Sequence, residues 1–111
     1  MQKYRIKITK YAEADIEDLM DFYADLVDDE SADKFRDEVF ATIASLDTFP
    51  EGNPLWLDQP NLHRVNLKKH RICIIYKVKK AVLEVVAIAV FHSLRNPRKL
   101  RAEIRERTGN S

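Results

Sequence analysis

The stretch Ala89-Val-Phe-His-Ser-Leu-Arg-Asn-Pro-Arg-Lys-Leu100 closes an apolar run with a histidine and then turns basic. Histidine exchanges protons near neutral pH, arginine offers a planar donor fork, and lysine carries a point charge. These residue types bind phosphate and other anions. They are also the parts of metal-independent RNA cleavage, which needs a base for the 2′-hydroxyl, an acid for the leaving oxygen and cations for the charged transition state. His92 and His70 are the candidate proton carriers, with Arg71 and Arg95 as electrostatic partners. Arg64, Lys68, Lys69 and Arg98 complete the anion- or target-binding set. His92 has a second reading, as a half-buried residue that ends a strand with one ring nitrogen satisfied.

Other chemistries fail on spacing. His63, His70 and His92 with one cysteine form no zinc pattern, and two glycines cannot build a glycine-rich phosphate loop. No metal or cofactor is expected. Cys73 reads as a small core residue, Tyr76 as a packing residue and Lys79-Lys80 as a solvated turn. Glu13, Asp15, Glu17, Asp18 and Asp21 fall opposite an apolar helical stripe and read as solvated surface. Asp28-Asp29-Glu30 is explained by helix-start charge.

The elements that must position these groups follow from hydrophobic period. Tyr4 to Thr9 alternates like a half-buried strand. Ala12, Ile16, Leu19, Tyr23 and Leu26 mark an amphipathic helix to about Val27. Asp28 to Ser31 supplies carboxylates and a capping hydroxyl for a second helix, striped by Ala32, Phe35, Val39, Ile43 and Leu46 and ended by Phe49-Pro50. Three of the four prolines lie between Pro50 and Asn61, so that segment is a loop, which Trp56 pins to the body. Strand-like runs follow at 62–68, 71–78 and 82–91, the second apolar on both alternating sets and therefore central. Asn96-Pro97 starts a short final helix carrying Leu100 and Ile104.

This order predicts an α+β domain of two layers: an N-terminal strand, a helical hairpin, a three-stranded antiparallel meander and a short C-terminal helix. A turn near residue 80 puts Arg71 opposite about residue 89 and carries His92 past toward Lys68, within about two residues. Lys68, Lys69, His70, Arg71 and His92 then gather at one end of the sheet, beside Arg95, Arg98 and the N-terminus of the last helix.

The chain's 111 residues suit a single domain, 1–111, with residues 108–111 frayed. Charge is divided: residues 1–60 hold 6 basic and 15 acidic side chains, net −9, and residues 61–111 hold 13 and 3, net +10. That asymmetry suggests an anion-seeking face. Ala81 to Phe91 is too short for a bilayer span and no secretory leader opens the sequence, so a cytoplasmic protein without membrane contact is expected.

Four stretches then carry a resemblance across Tyr4 to Leu100: YAEADIEDLMDFYAD, TFPEGNP, HRVNLKKHRICIIYKV and AVFHSLRNPRKL. The chain resembles the RelE/ParE superfamily of toxins from bacterial type II toxin–antitoxin modules. The resemblance implies the RelE-like two-layer fold and one of two activities. RelE-like members cleave messenger RNA at the ribosome, with basic sheet residues and usually a C-terminal tyrosine; ParE-like members poison DNA gyrase. Arg71 falls where RelE-like chains often carry a sheet arginine, and Arg64 lies near another basic position. After His92 this chain has no tyrosine, its last being Tyr76, which favours the ParE-like reading. A non-toxic, autoregulatory member is the third alternative. The resemblance also implies a cognate antitoxin, expected to lay an acidic amphipathic segment over the basic sheet end and the apolar helix grooves.

Overall fold

The computed structural model describes residues 3–57, 59–67 and 69–109. Strand β1 (Arg5–Ile8) leads into helices α1 (Lys10–Leu26) and α2 (Asp29–Ala44), then strands β2 (Leu62–Asn66), β3 (Ile72–Lys79) and β4 (Glu84–His92), and finally helix α3 (Pro97–Gly109). The sheet order is β1-β4-β3-β2, with the expected antiparallel meander and β1 parallel to β4.

Both helices of the hairpin start on side-chain caps. Thr9 Oγ1 accepts the Ala12 N–H, and the Asp28 carboxylate accepts the Ser31 N–H at 2.7 Å. The second cap is therefore the carboxylate; Ser31 is its recipient and supplies no capping hydroxyl. The α2 stripe is buried throughout, and Ala12 and Ile16 of α1 join it against Ile72, Ile74, Ala87 and Val90 on one sheet face. Leu26 does not belong to that core: it is 67% exposed, because α1 ends there, beyond the sheet.

The other face explains why β3 is apolar on both alternating sets. Cys73, Ile75, Ala89 and Phe91 pack beneath Trp56, Leu62, Leu100 and Ile104. The 50–61 loop is held by Trp56, by Tyr76 Oη donating to Pro50 O at 2.6 Å, and by Asn53 Nδ2 donating to that same hydroxyl. His63 stacks on Tyr76, with Nδ1 2.8 Å from Asn53 O. Tyr76 thus packs and anchors.

The β3–β4 register departs from expectation. Ile72 pairs with His92 and Ile75 with Ala89, placing Arg71 across from Ser93, whose N–H donates to Arg71 O. The shift is four residues and has two causes. The connection is a 3-10 turn over Lys80–Val82 closed by Leu83 at φ 51°, centred past residue 81, and β4 bulges by one residue at Ile88 between the 75/89 and 76/87 pairs.

Asn96 caps α3 as expected: its Oδ1 accepts the Arg98 N–H at 2.9 Å and Pro97 is the first helical residue. Thr108 and Gly109 stay in that helix, with Thr108 Oγ1 donating to Ile104 O; the rest of the expected frayed tail, 110–111, lies outside the described residues. No helix among the described residues is long and apolar enough to cross a membrane.

Candidate functional site

Strand alternation sorts the basic residues by face. Arg64 on β2 and Arg71 at the entry to β3 project to the side covered by α3 and the 50–61 loop. There they line a basin of about 590 Å³ with Asn66, His70, Ser93 and Arg95. The floor is apolar, made of Trp56, Ile72, Cys73, Phe91 and Leu100. Arg64 and Arg71 are exposed and have no ion-pair partner among the described residues; Arg95 is paired with Glu103 of α3. Two uncompensated guanidinium groups over an apolar floor attract an anion that also carries an apolar body.

His92 is not in this basin. It pairs with Ile72 and shares that residue's face, toward α1, where it borders a groove with Asp15, Asp18 and Arg107. Its Nδ1 accepts the Leu94 N–H at 3.2 Å, which puts the proton of the neutral ring on Nε2. The expected gathering of Arg71 and His92 in one site is corrected on this point: they share a sheet end but not a face.

His70 reaches the basin from the β2–β3 turn. Its ring meets Tyr23 and Phe35 edge-on, and Nδ1 lies 2.9 Å from Glu38 Oε2 without the alignment of a hydrogen bond. Glu38 also accepts the Lys69 N–H, so this carboxylate fixes the turn, and Lys69 opens onto the α2 side with its side chain exposed. Burial, with Glu38 adding repulsion, raises the Tyr23 phenol above its ordinary value. Arg98 is exposed on the first turn of α3 and lines no described cavity, while Lys68 lies outside the described residues.

Sequence reasoning missed two groups. Asn66 and Ser93 line the basin, and the two-residue period from Arg64 to Asn66 would have found the first. Asp15, read as solvated, has its carboxylate 14% exposed; it accepts the Val90 N–H and a bidentate pair of bonds from Arg107 at 2.7 and 3.1 Å. Arg107 also donates to Ile88 O, the carbonyl of the bulge. Asp15 holds the Arg107 guanidinium above even its usual high pKa, chiefly through that hydrogen bond.

Cys73 lies on the floor, and burial pushes its thiol up to about 11, with Arg64 opposing weakly. It is no nucleophile at neutral pH. An unfolded thiol ionises near pH 9, so the folded state binds the proton more tightly between about pH 9 and 11. Stability is full below that window and falls as pH rises through it. Urea melts across pH 8–11 should show this decline, and Cys73→Ala should flatten it; an equal slope in both proteins removes Cys73 as the cause. Among the described residues, no group of three or more His, Cys, Asp or Glu side chains could hold a metal.

The family model described as ParE toxin of type II toxin-antitoxin system, parDE, matches residues 6–97. No curated protein matches the sequence significantly. Among solved structures, a chain of the chromosomal ParDE system of P. aeruginosa superposes with TM-score 0.71 at 19% identity, covering 81% of this chain and 96% of that one. A mutant E. coli RelE in the free state gives TM-score 0.69 at 15% identity, covering 96% and 99%. The RelBE2 toxin–antitoxin complex of Mycobacterium tuberculosis gives 0.58 at 17%, covering 83% and 93%.

Proposed function

Since the chain belongs to the ParE toxin family of type II toxin–antitoxin systems, we propose that it arrests growth by poisoning DNA gyrase and is neutralised by a cognate antitoxin. One observation carries this reading over ribosome-dependent cleavage of messenger RNA. The basin gathers arginines without the acid and base that cleavage requires. His92 faces the other side of the sheet, and the last tyrosine, Tyr76, is buried with its hydroxyl engaged by Pro50 and Asn53. His70 alone reaches the basin, its Nδ1 turned to Glu38. Binding, with no bond made or broken, is what this set performs best.

The test compares two kinds of damage in cells expressing the chain with and without His92→Ala and His70→Ala. Gyrase poisoning gives accumulated DNA breaks and blocked supercoiling, with His92→Ala remaining toxic. Ribosome-dependent cuts within codons, lost by roughly 10²–10⁴-fold in either histidine variant, would overturn it in favour of the RelE-like ribonuclease. No arrest from a folded chain would leave the autoregulatory module.

A further inference from the structure

The basin does not end at α3. A second cavity of about 350 Å³ opens beyond Trp56 and Leu57, and both hollows share these two residues. They form one groove between the 55–59 segment and α3. Leu100 and Ile104 supply successive apolar steps along its helical wall, and Arg101 and Arg105 stand on its rim. Those two arginines are exposed and have no ion-pair partner among the described residues. From Pro97 to Thr108 the wall is about 17 Å long at 1.5 Å per residue, the length of three helical turns.

Two features of the other wall point to an occupant. Leu55 and Leu57 are 46% and 42% exposed, apolar side chains left uncovered beside cations. Leu57 is moreover held at φ 50°, a region a leucine seldom adopts, so surrounding contacts keep its side chain there at a conformational cost. A nucleic acid strand would need an open aromatic face for its bases, but Trp56 is 8% exposed and buried in the second core. The complement of apolar steps flanked by guanidinium groups is a peptide with aliphatic side chains on one face and carboxylates beside them.

We infer that this groove, from Arg64 and Arg71 to Arg101 and Arg105, is the docking site of an acidic amphipathic segment of about three helical turns from a partner protein. The inference deepens the antitoxin reading above and rests on it for the identity of the partner, but not for the chemistry of the segment. Leucines of the segment enter between Leu57, Leu100 and Ile104, and its carboxylates meet Arg101 and Arg105.

The probe is a labelled synthetic amphipathic helix of about 12 leucine and glutamate residues, titrated with the full chain by fluorescence anisotropy. Its controls are the same composition scrambled, a lysine-for-glutamate version and single-stranded oligothymidylate. The patterned acidic peptide should bind best and weaken with added salt. Arg101→Glu with Arg105→Glu should lower affinity about 30-fold, from reversal of two exposed charges. Leu57→Asp should lower it also, and aspartate tolerates positive φ, so that variant keeps the loop. Equal binding of the scrambled peptide, preference for the oligonucleotide, or unchanged affinity in both folded variants would overturn the inference. Growth arrest by the wild-type chain is scored separately: peptide binding without arrest sinks the toxin reading alone, and arrest without peptide binding sinks the groove alone.

Discussion

Arg64→Glu combined with Arg71→Glu abolishes growth arrest while leaving the fold intact. Both side chains are exposed, and neither has an ion-pair partner among the described residues, so folding gains little from them. Surface changes of this kind shift stability by about 0.5 kcal/mol or less. Their contribution to a target is much larger. A hydrogen bond to a charged group is worth about 1.5–3 kcal/mol, so two lost contacts amount to about 3–6 kcal/mol, or 10²–10⁴-fold in affinity, before the added repulsion. Thermal melting should superpose on the wild type, and colony-forming units after induction should match an empty vector. Persistent arrest at matched expression would mean that the basin is not the face that meets the target. A large drop in melting temperature would instead reveal a structural role for these arginines.

Much of this arrangement was legible in the sequence, and particular residues show why. Asn96-Pro97 caps α3 because both residues act locally, through a side-chain acceptor and a fixed φ. The α2 stripe and the doubly apolar β3 were readable because period reports which faces are covered. The partner of β1 was not, since alternation in Tyr4 to Thr9 says nothing about which strand lies beside it. The four-residue register shift was hidden for a similar reason: Leu83 at φ 51° and the bulge at Ile88 carry no glycine or asparagine to announce them. The separation of His92 from Arg71 is a different matter. Cross-strand partners share a face, and residues of odd and even number fall on opposite faces in the expected register as in the observed one. Parity alone would have moved His92 out of the basin. Asp15 was concealed by its acidic neighbours, because only tertiary structure distinguishes the one carboxylate that meets β4.

That carboxylate carries the second large effect. β1 pairs with β4 only as far as Ala87, so the outer edge of β4 beyond it has no neighbouring strand. Asp15 accepts the Val90 N–H there and Arg107 donates to the Ile88 carbonyl, so one ion pair takes the place of a missing strand and fastens α3 to α1. Its side chains are 14% and 15% exposed, enough burial for an abandoned charge to be costly. Asp15→Ala strands the Arg107 guanidinium and leaves the Val90 N–H unbonded, for an expected loss of about 3 kcal/mol. Arg107→Met keeps the aliphatic stem over the Tyr11 ring, where the guanidinium now lies 5.3 Å from the centroid, yet strands the carboxylate and costs a similar amount. The double variant removes both charges together and should be more stable than the sum of the single losses implies, with a coupling of about 1.5–3 kcal/mol by urea denaturation. Hydrogen exchange should quicken first in α3, because this pair is its polar anchor, and with α3 loosened the wall formed by Leu100 and Ile104 is lost from the groove. A coupling below about 0.5 kcal/mol, the scatter of independent sites, would show that the apolar contacts of Leu100 and Ile104 hold α3 without the pair.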